Sequence, residues 1–258
     1  MSETTQRVYY LFNMSWPEVK EALPTIKAAI IPTGSTEQHG PNGTFEVDTA
    51  RAREFSIRLG ERLYPKVIVT PPVQFGVSEH HIHFPGTLTL KPDTFVQVCM
   101  DIAWSLHQHG IRKFVFVNGH GGNRSSLSTV INQIKYDMGD EALWVSPTAL
   151  VDDIIKEHVT SPIIGHACES EMSQCLYLCP QCVKKDALEK GDIYPHIYET
   201  WHKLPIEQAR YWDEITRNGA LGDATKATYE FGKQCIETAL DRLTEYLEAF
   251  IEDLACST

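Results

Sequence analysis

Basic residues are scarce in this chain: 23 Lys and Arg stand against 34 Asp and Glu, a formal net charge of −11. Without a basic run to neutralise phosphates, the sequence excludes a nucleic-acid partner and argues against docking on anionic lipid. Long apolar runs are missing too, and nothing approaches the ~20 residues that cross a bilayer. Met1 to Tyr9 lacks the apolar core of a signal peptide. The seven cysteines are odd in number and unevenly scattered, which excludes a disulfide framework and fits reduced thiols. A cytoplasmic location without a membrane partner is expected. Internal repeats and low-complexity linkers are also absent, so the 258 residues are expected to form one domain, 1–258.

Against these absences stands a regular alternation of short apolar runs and helical patterns. Ala28–Ile31 stops at Pro32-Thr33-Gly34 and reads as a buried strand. Asp48 reads as the N-cap of a helix reaching about Leu63, followed by a strand at Val67–Val69. Pro92 and Asp93 open a helix that Gly110 ends. Lys113–Val117 is a strand, the loop Gly119–Gly122 follows, and a helix runs from Asn123 to about Met138. Leu143–Val145 is a further strand, and a helix begins near Glu169 and stops before Pro180. The strands are apolar throughout rather than alternating, the form taken by a parallel sheet covered on both faces. Asp223 to about Leu254 carries an apolar seam at Ile236, Leu240, Leu243, Leu247, Phe250 and Leu254. A helix of that span would be roughly 48 Å long. It either packs on the sheet or also reaches a neighbouring subunit.

Chemistry concentrates in Gly34-Ser35-Thr36-Glu37-Gln38-His39-Gly40, in Asp48, and in Asn118-Gly119-His120-Gly121-Gly122-Asn123. Glu37 and His39 are two apart, so an extended segment points both the same way. Both blocks follow strands, at the carboxyl edge where α/β sheets place ligands. Asp48 at a helix mouth is favoured as a carboxylate and has two oxygens to bridge two cations. Mixed carboxylate and imidazole donors suit Zn²⁺, Mn²⁺ or Fe²⁺ rather than Ca²⁺ or Mg²⁺. Glu37, His39, Asp48 and His120 are therefore the candidate metal ligands. A second block, Gly165-His166-Ala167-Cys168-Glu169-Ser170-Glu171, supplies positions for a proton carrier and a further ligand. His166, Glu169 and Glu171 are the candidates for these roles, His166 and Glu169 being the catalytic ones.

These blocks, with His83-Phe84-Pro85-Gly86-Thr87 and Gly222-Asp223, resemble the creatininase (creatinine amidohydrolase) family in order along residues 10–250. The resemblance implies a three-layer α/β/α fold with a mainly parallel sheet, a homo-oligomer (a hexamer favoured), and a two-metal site that cleaves a non-peptide amide C–N bond of a small molecule. It makes Glu37, His39 and His120 terminal ligands and Asp48 the bridge between two Zn, Mn or Fe ions. Creatininase has a glutamate two residues after the loop histidine, where this chain has Gly122, so Glu171 or Glu169 would replace it. Creatininase also walls its pocket with tryptophans where this chain reads Ser146-Pro147-Thr148-Ala149 and Ser161-Pro162-Ile163-Ile164, and has a glutamate where Gly165 stands. Creatinine is therefore not the expected substrate. A cyclic amide or formamide is expected instead, with trimming of a peptide-derived cofactor, or a metal-binding regulator without turnover, as alternatives.

The implied mechanism is attack by a metal-lowered hydroxide, oxyanion support from the amides of Gly121 and Gly122, and a proton from His166 to the leaving nitrogen. Other motifs receive plainer readings. Cys175, Cys179 and Cys182 read as core packing, Cys168 is not needed as a nucleophile, and His80, His81 and His83 read as pocket wall.

Overall fold

The computed structural model describes residues 7–200 and 208–252. Five strands form one parallel sheet in the order β1-β3-β2-β4-β5. They are β1 (Tyr9–Tyr10), β2 (Ala28–Thr33), β3 (Val67–Val69), β4 (Lys113–Asn118) and β5 (Glu141–Val145). The longer helices are α2 (Val47–Arg62), α3 (Pro92–Gln108), α4 (Arg124–Gln133), α6 (Glu169–Leu178) and α8 (Tyr229–Ile251). Shorter ones are α1 (Trp16–Ala22), α5 (Asp152–His158) and α7 (Pro195–Thr200). The sequence reading did not foresee β1, α1, α5 or α7.

The apolar strands divide their side chains between two cores, as period-two alternation requires. Ala28, Ile30, Val115 and Val117 face α2, α6 and α8. Ala29, Ile31, Phe114 and Phe116 face the layer of α1, α3 and α4. The sheet is thus covered on both sides, the α/β/α arrangement expected from strands that do not alternate in polarity. On one of these faces two helices approach closely where glycine allows it. A Cβ on Gly232 of α8 would lie 1.7 Å from the Ser173 carbonyl of α6, so only glycine lets these helices approach so closely.

Two boundaries differ from expectation for local reasons. The N-cap of α2 is Glu46, and Asp48 is the second residue of the helix, in its first turn, where it is 2% exposed. Near Asp223 the chain makes a separate short turn, with the Asp223 carboxylate accepting from Thr225 N–H. Thr228 then caps α8 by accepting from Phe231 N–H. The last helix therefore has 23 residues rather than about thirty, roughly 34 Å. Its seam of Ile236, Leu240, Leu243 and Leu247 is buried against α2, α6 and the sheet, so it is used within the chain. Leu254 lies outside the described residues.

β2 pairs with β3 on one side and β4 on the other. The chain runs in opposite senses across the sheet from these two strands, which opens a crevice at their carboxyl ends. The segments that leave β2 and β4 there carry the residues singled out from the sequence. No described helix is long and apolar enough to cross a membrane.

Candidate metal centre

Glu37, His39, Asp48 and His120 converge at this crevice, each no more than 4% exposed. His39 Nε2 is 3.4 Å from Asp48 Oδ1, and His120 Nδ1 is 3.2 Å from both Glu37 Oε1 and Asp48 Oδ2. Ligating atoms of Glu37, His39 and Asp48 all lie within 4.8 Å of one another. So do those of His39, His166 and Glu171, and those of Glu37, His80 and His120.

The outer nitrogens of these imidazoles are held by main-chain carbonyls. His39 Nδ1 donates to Glu37 O at 3.2 Å, and His120 Nε2 donates to Val77 O at 3.0 Å. Each inner nitrogen is thereby left facing carboxylates. A bare lone pair against carboxylates is repulsive unless a cation lies between, and this orientation is the usual support for metal-binding histidines. Among the described residues, His39 Nε2 and Asp48 Oδ2 are buried with no hydrogen-bond partner. Buried polar atoms are otherwise almost always satisfied. The donor set therefore fits divalent cations.

Charge balance without a metal falls to protons. Burial disfavours the charged form of His39, but Asp48, Glu171 and Glu37 overcome it and raise its pKa to about 9. His120 rises well above its ordinary value against the same burial, through Glu37 and Asp48. Burial pushes Glu37 and Asp48 toward neutrality, yet the neighbouring histidines hold both below the usual carboxylate range.

Glu171 reaches the same rim. Its Oε2 is 3.8 Å from His39 Nε2 and accepts Ala167 N–H at 2.7 Å, while Oε1 is 2.9 Å from the buried Arg51 guanidinium. Arg51 also donates to Gly119 O at 2.7 Å, joining α2 to the histidine loop. Glu169 is not brought to this cluster. It opens α6 two positions earlier, about 200° around a helix, and faces His158, whose Nε2 is 3.8 Å from Glu169 Oε1. Gly122 explains why no ligand stands two residues after His120. A Cβ there would lie 2.1 Å from Val77 O and 2.5 Å from His120 Nε2, in the middle of the bond that orients the imidazole.

His166 lies over the cluster, its Nε2 donating to Gln38 O at 2.7 Å and its Nδ1 3.6 Å from Glu37 Oε1. Burial, followed by the charge on His39, lowers its pKa, so its Nδ1 carries a lone pair at neutral pH. Leu221 N–H donates to His166 O at 2.8 Å, which pins this loop. Burial likewise lowers His80 to about 4 and His81 to about 2. Cys168 is buried and pushed up, as an inert thiol would be. Cys175, Cys179 and Cys182 are buried in the core.

A cavity of about 620 Å³ opens above the cluster. Ser146, Thr148, Ile164 and Gly165 line it, so the stretches where the sequence departs from creatininase do form its wall. His80 and His81 line it as well, whereas His83 turns outward to Asp213 at 3.0 Å. Sequence reasoning missed Trp212, which also lines the cavity. Its ring lies 4.6 Å from His81, and its Nε1 donates to Gly219 O at 2.9 Å. It supplies an aromatic wall from a segment that carries no motif.

With this geometry established, known proteins place the chain. Creatinine amidohydrolase (Creatininase) matches residues 12–247 as a family. A mycofactocin precursor peptide peptidase from Mycolicibacterium smegmatis is 30% identical over 81% of this chain and 79% of its own length. A Pseudomonas putida creatinine amidohydrolase is 24% identical over 92% of this chain and 95% of its own. A crystal structure of a Bacteroides fragilis NCTC 9343 protein of creatinine amidohydrolase type superposes with a TM-score of 0.82. It shares 25% identity and covers 95% of this chain and 97% of the other. A manganese creatininase and a mutant of Zn–Zn type superpose with TM-scores of 0.71 and 0.70, each 21% identical over 95% of this chain and 99% of the other. The chain belongs to the creatinine amidohydrolase (creatininase) family of hydrolases.

Proposed function

We propose that this chain, acting as one catalytic unit, hydrolyses an amide C–N bond with two divalent cations held by Glu37, His39, Asp48, His120 and Glu171. The observation that carries this reading is the inward aim of His39 Nε2 and Asp48 Oδ2, buried and without hydrogen-bond partners. When bound, the cations supply Lewis acidity toward the carbonyl and lower the pKa of a water toward neutrality. Arg51 orients Glu171 and holds the histidine loop against α2. His166 enters the reaction neutral, so its Nδ1 first accepts the proton of the attacking water and then delivers it to the leaving nitrogen.

The cavity and the relatives support a short peptide or peptide-like amide as substrate. About 620 Å³ is far more than a creatinine-sized ring needs, and falls within the range for sizeable ligands. The relative with 30% identity carries the name of a peptide peptidase. A cyclic amide or formamide is the second reading, favoured by the aromatic lining that Trp212 and His81 give the cavity, against which a planar ring can pack. Cytoplasmic location and a homo-oligomer belong to the same proposal.

The deciding experiment is a screen of short peptides, cyclic amides and formamides with Zn²⁺-, Mn²⁺- and Fe²⁺-loaded protein, read by product mass. Release of an amine and an acid from one class identifies the substrate. Metal bound with no turnover of any class would replace the enzyme with a metal-binding regulator.

A further inference from the structure

His81 lies beside the same cluster but is turned the other way round. His39, His120 and His166 each direct a protonated nitrogen outward to a main-chain carbonyl and turn the other nitrogen inward. The outer nitrogen of His81 meets a donor instead. Gln38 Nε2 lies 2.7 Å from His81 Nδ1. The Gln38 amide cannot be reversed, because its Oε1 accepts Gly40 N–H at 2.7 Å and its Nε2 donates to Gly219 O at 3.1 Å. Gln38 Nε2 also lies 3.2 Å from His166 Nε2, but that nitrogen spends its proton on Gln38 O and is no acceptor, so one amide hydrogen goes to Gly219 and the other to His81 Nδ1, which must be bare. The remaining proton of His81 sits on Nε2, on the side of the metal cluster.

Among the described residues that N–H makes no hydrogen bond: the carboxylate facing it is Glu37, whose Oε1 is 3.7 Å away, beyond hydrogen-bond reach. His81 is 1% exposed and lines the reaction cavity, held between the rings of His166 at 4.6 Å and Trp212 at 4.6 Å. Distance alone would let it ligate a metal with Glu37 and His166. Its protonated nitrogen forbids this, because an N–H has no lone pair to give.

We propose that His81 is a fixed N–H donor for the substrate oxygen on which negative charge gathers, kept from the metals and aimed by Gln38. This rests on the amidase reading above. Gln38 is a positioning residue with two functions: its side chain fixes the His81 proton inward, and its own carbonyl fixes the His166 proton outward. A single buried residue between the ligands Glu37 and His39 thereby sets one histidine as donor and its neighbour as acceptor. A neutral donor already in place costs no reorganisation when the oxyanion forms.

Long-range ¹H–¹⁵N spectra of the labelled protein, metal-free and zinc-loaded, read the proton directly. His81 should carry it on Nε2 in both states, and Gln38→Glu should move it to Nδ1. Zinc content by elemental analysis should be unchanged in His81→Leu and His81→Gln. Inorganic phosphate, a tetrahedral anion standing in for the oxyanion, should bind zinc-loaded His81→Leu on the order of tenfold more weakly. His81→Gln, whose amide reaches a similar point, should restore much of that loss. A proton on His81 Nδ1 in the unsubstituted protein, loss of zinc from either variant, or unaltered phosphate affinity in His81→Leu overturns the proposal. Failure of the unsubstituted protein to bind zinc at all would instead remove the amidase reading, which the proton position tests separately.

Discussion

Loading the metal-free protein with Zn²⁺ should expel protons, and the site geometry sets how many. His39 Nε2 and His120 Nδ1 face carboxylates at 3.2–3.4 Å, and in the absence of metal each carries a proton there. With His39 at about 9 and His120 also raised, both are charged at pH 7.5. Metal must displace both, so binding should release ~2 protons per chain or more. Calorimetric titration with zinc in buffers of different ionisation enthalpy measures that number. It should fall as pH passes through about 9, where His39 titrates. Stability follows the same logic. A histidine with a raised pKa contributes fully below its unfolded value near 6.5, and the contribution is lost as pH rises through the folded one. For His39, raised to about 9, that contribution is on the order of 3 kcal/mol. Thermal unfolding of the metal-free protein should therefore weaken between about pH 6.5 and 9, while the zinc form resists. Release of fewer than ~1 proton at pH 7.5 would show that the inner nitrogens do not meet the metals.

Further outcomes follow from single residues. Asp48→Ala should lose both metals by elemental analysis, since its two oxygens face different histidines; unchanged content would refute the bridge. Glu171→Gln should lower metal occupancy, whereas His166→Ala should keep the metals and reduce kcat by roughly 10²–10⁴. The reverse pattern would exchange the two roles. Creatinine should turn over at well below ~1 s⁻¹, measured by product formation, because the wall reads Ser146, Thr148 and Ile164 and Gly165 stands before His166. Light scattering at micromolar concentration should give an oligomer. Trp16, Trp104 and Tyr136 are 75%, 58% and 80% exposed, which leaves large apolar rings for an interface; a monomer would refute it.

Four of the five strands were legible because they are short apolar runs closed by Pro, Gly or Asn nearby, signals that tertiary context does not need to supply, whereas the two-residue β1 carries no such signal. The candidate ligands Glu37, His39 and His120 were legible for a related reason: they stand within a few residues of strand ends, so local sequence fixes their edge. Asp48 was placed at the right helix but assigned as its cap, because a carboxylate in a first turn looks the same whether it caps or turns inward. Glu169 and Glu171 could not be separated without knowing where α6 begins and which face packs on α2. Trp212 and the inverted His81 were out of reach. One depends on a loop folding back over a distant crevice, the other on hydrogen bonds from Gln38 to Gly40 and Gly219. The last helix was overextended because its seam continues in pattern, while Asp223 and Thr228 cap in sequence order that periodicity ignores.

The bond between His166 and Leu221, and the Gln38 contact to Gly219, also have a consequence in time. Glu37, His39 and Asp48 emerge early in synthesis, but the segment that pins His166 arrives only with Leu221. At ~5–20 residues per second the interval from His39 to Leu221 is roughly ten to forty seconds. During it these three candidate ligands would form an open half-site, without the later residues that cover them in the folded chain. Asn42, which bonds Ala167 O at 2.9 Å and Glu189 O at 3.1 Å, closes that half-site only after the later chain has folded back. We therefore expect the candidate metal set to be complete only once the chain through Leu221 has folded back, whatever ion is met earlier.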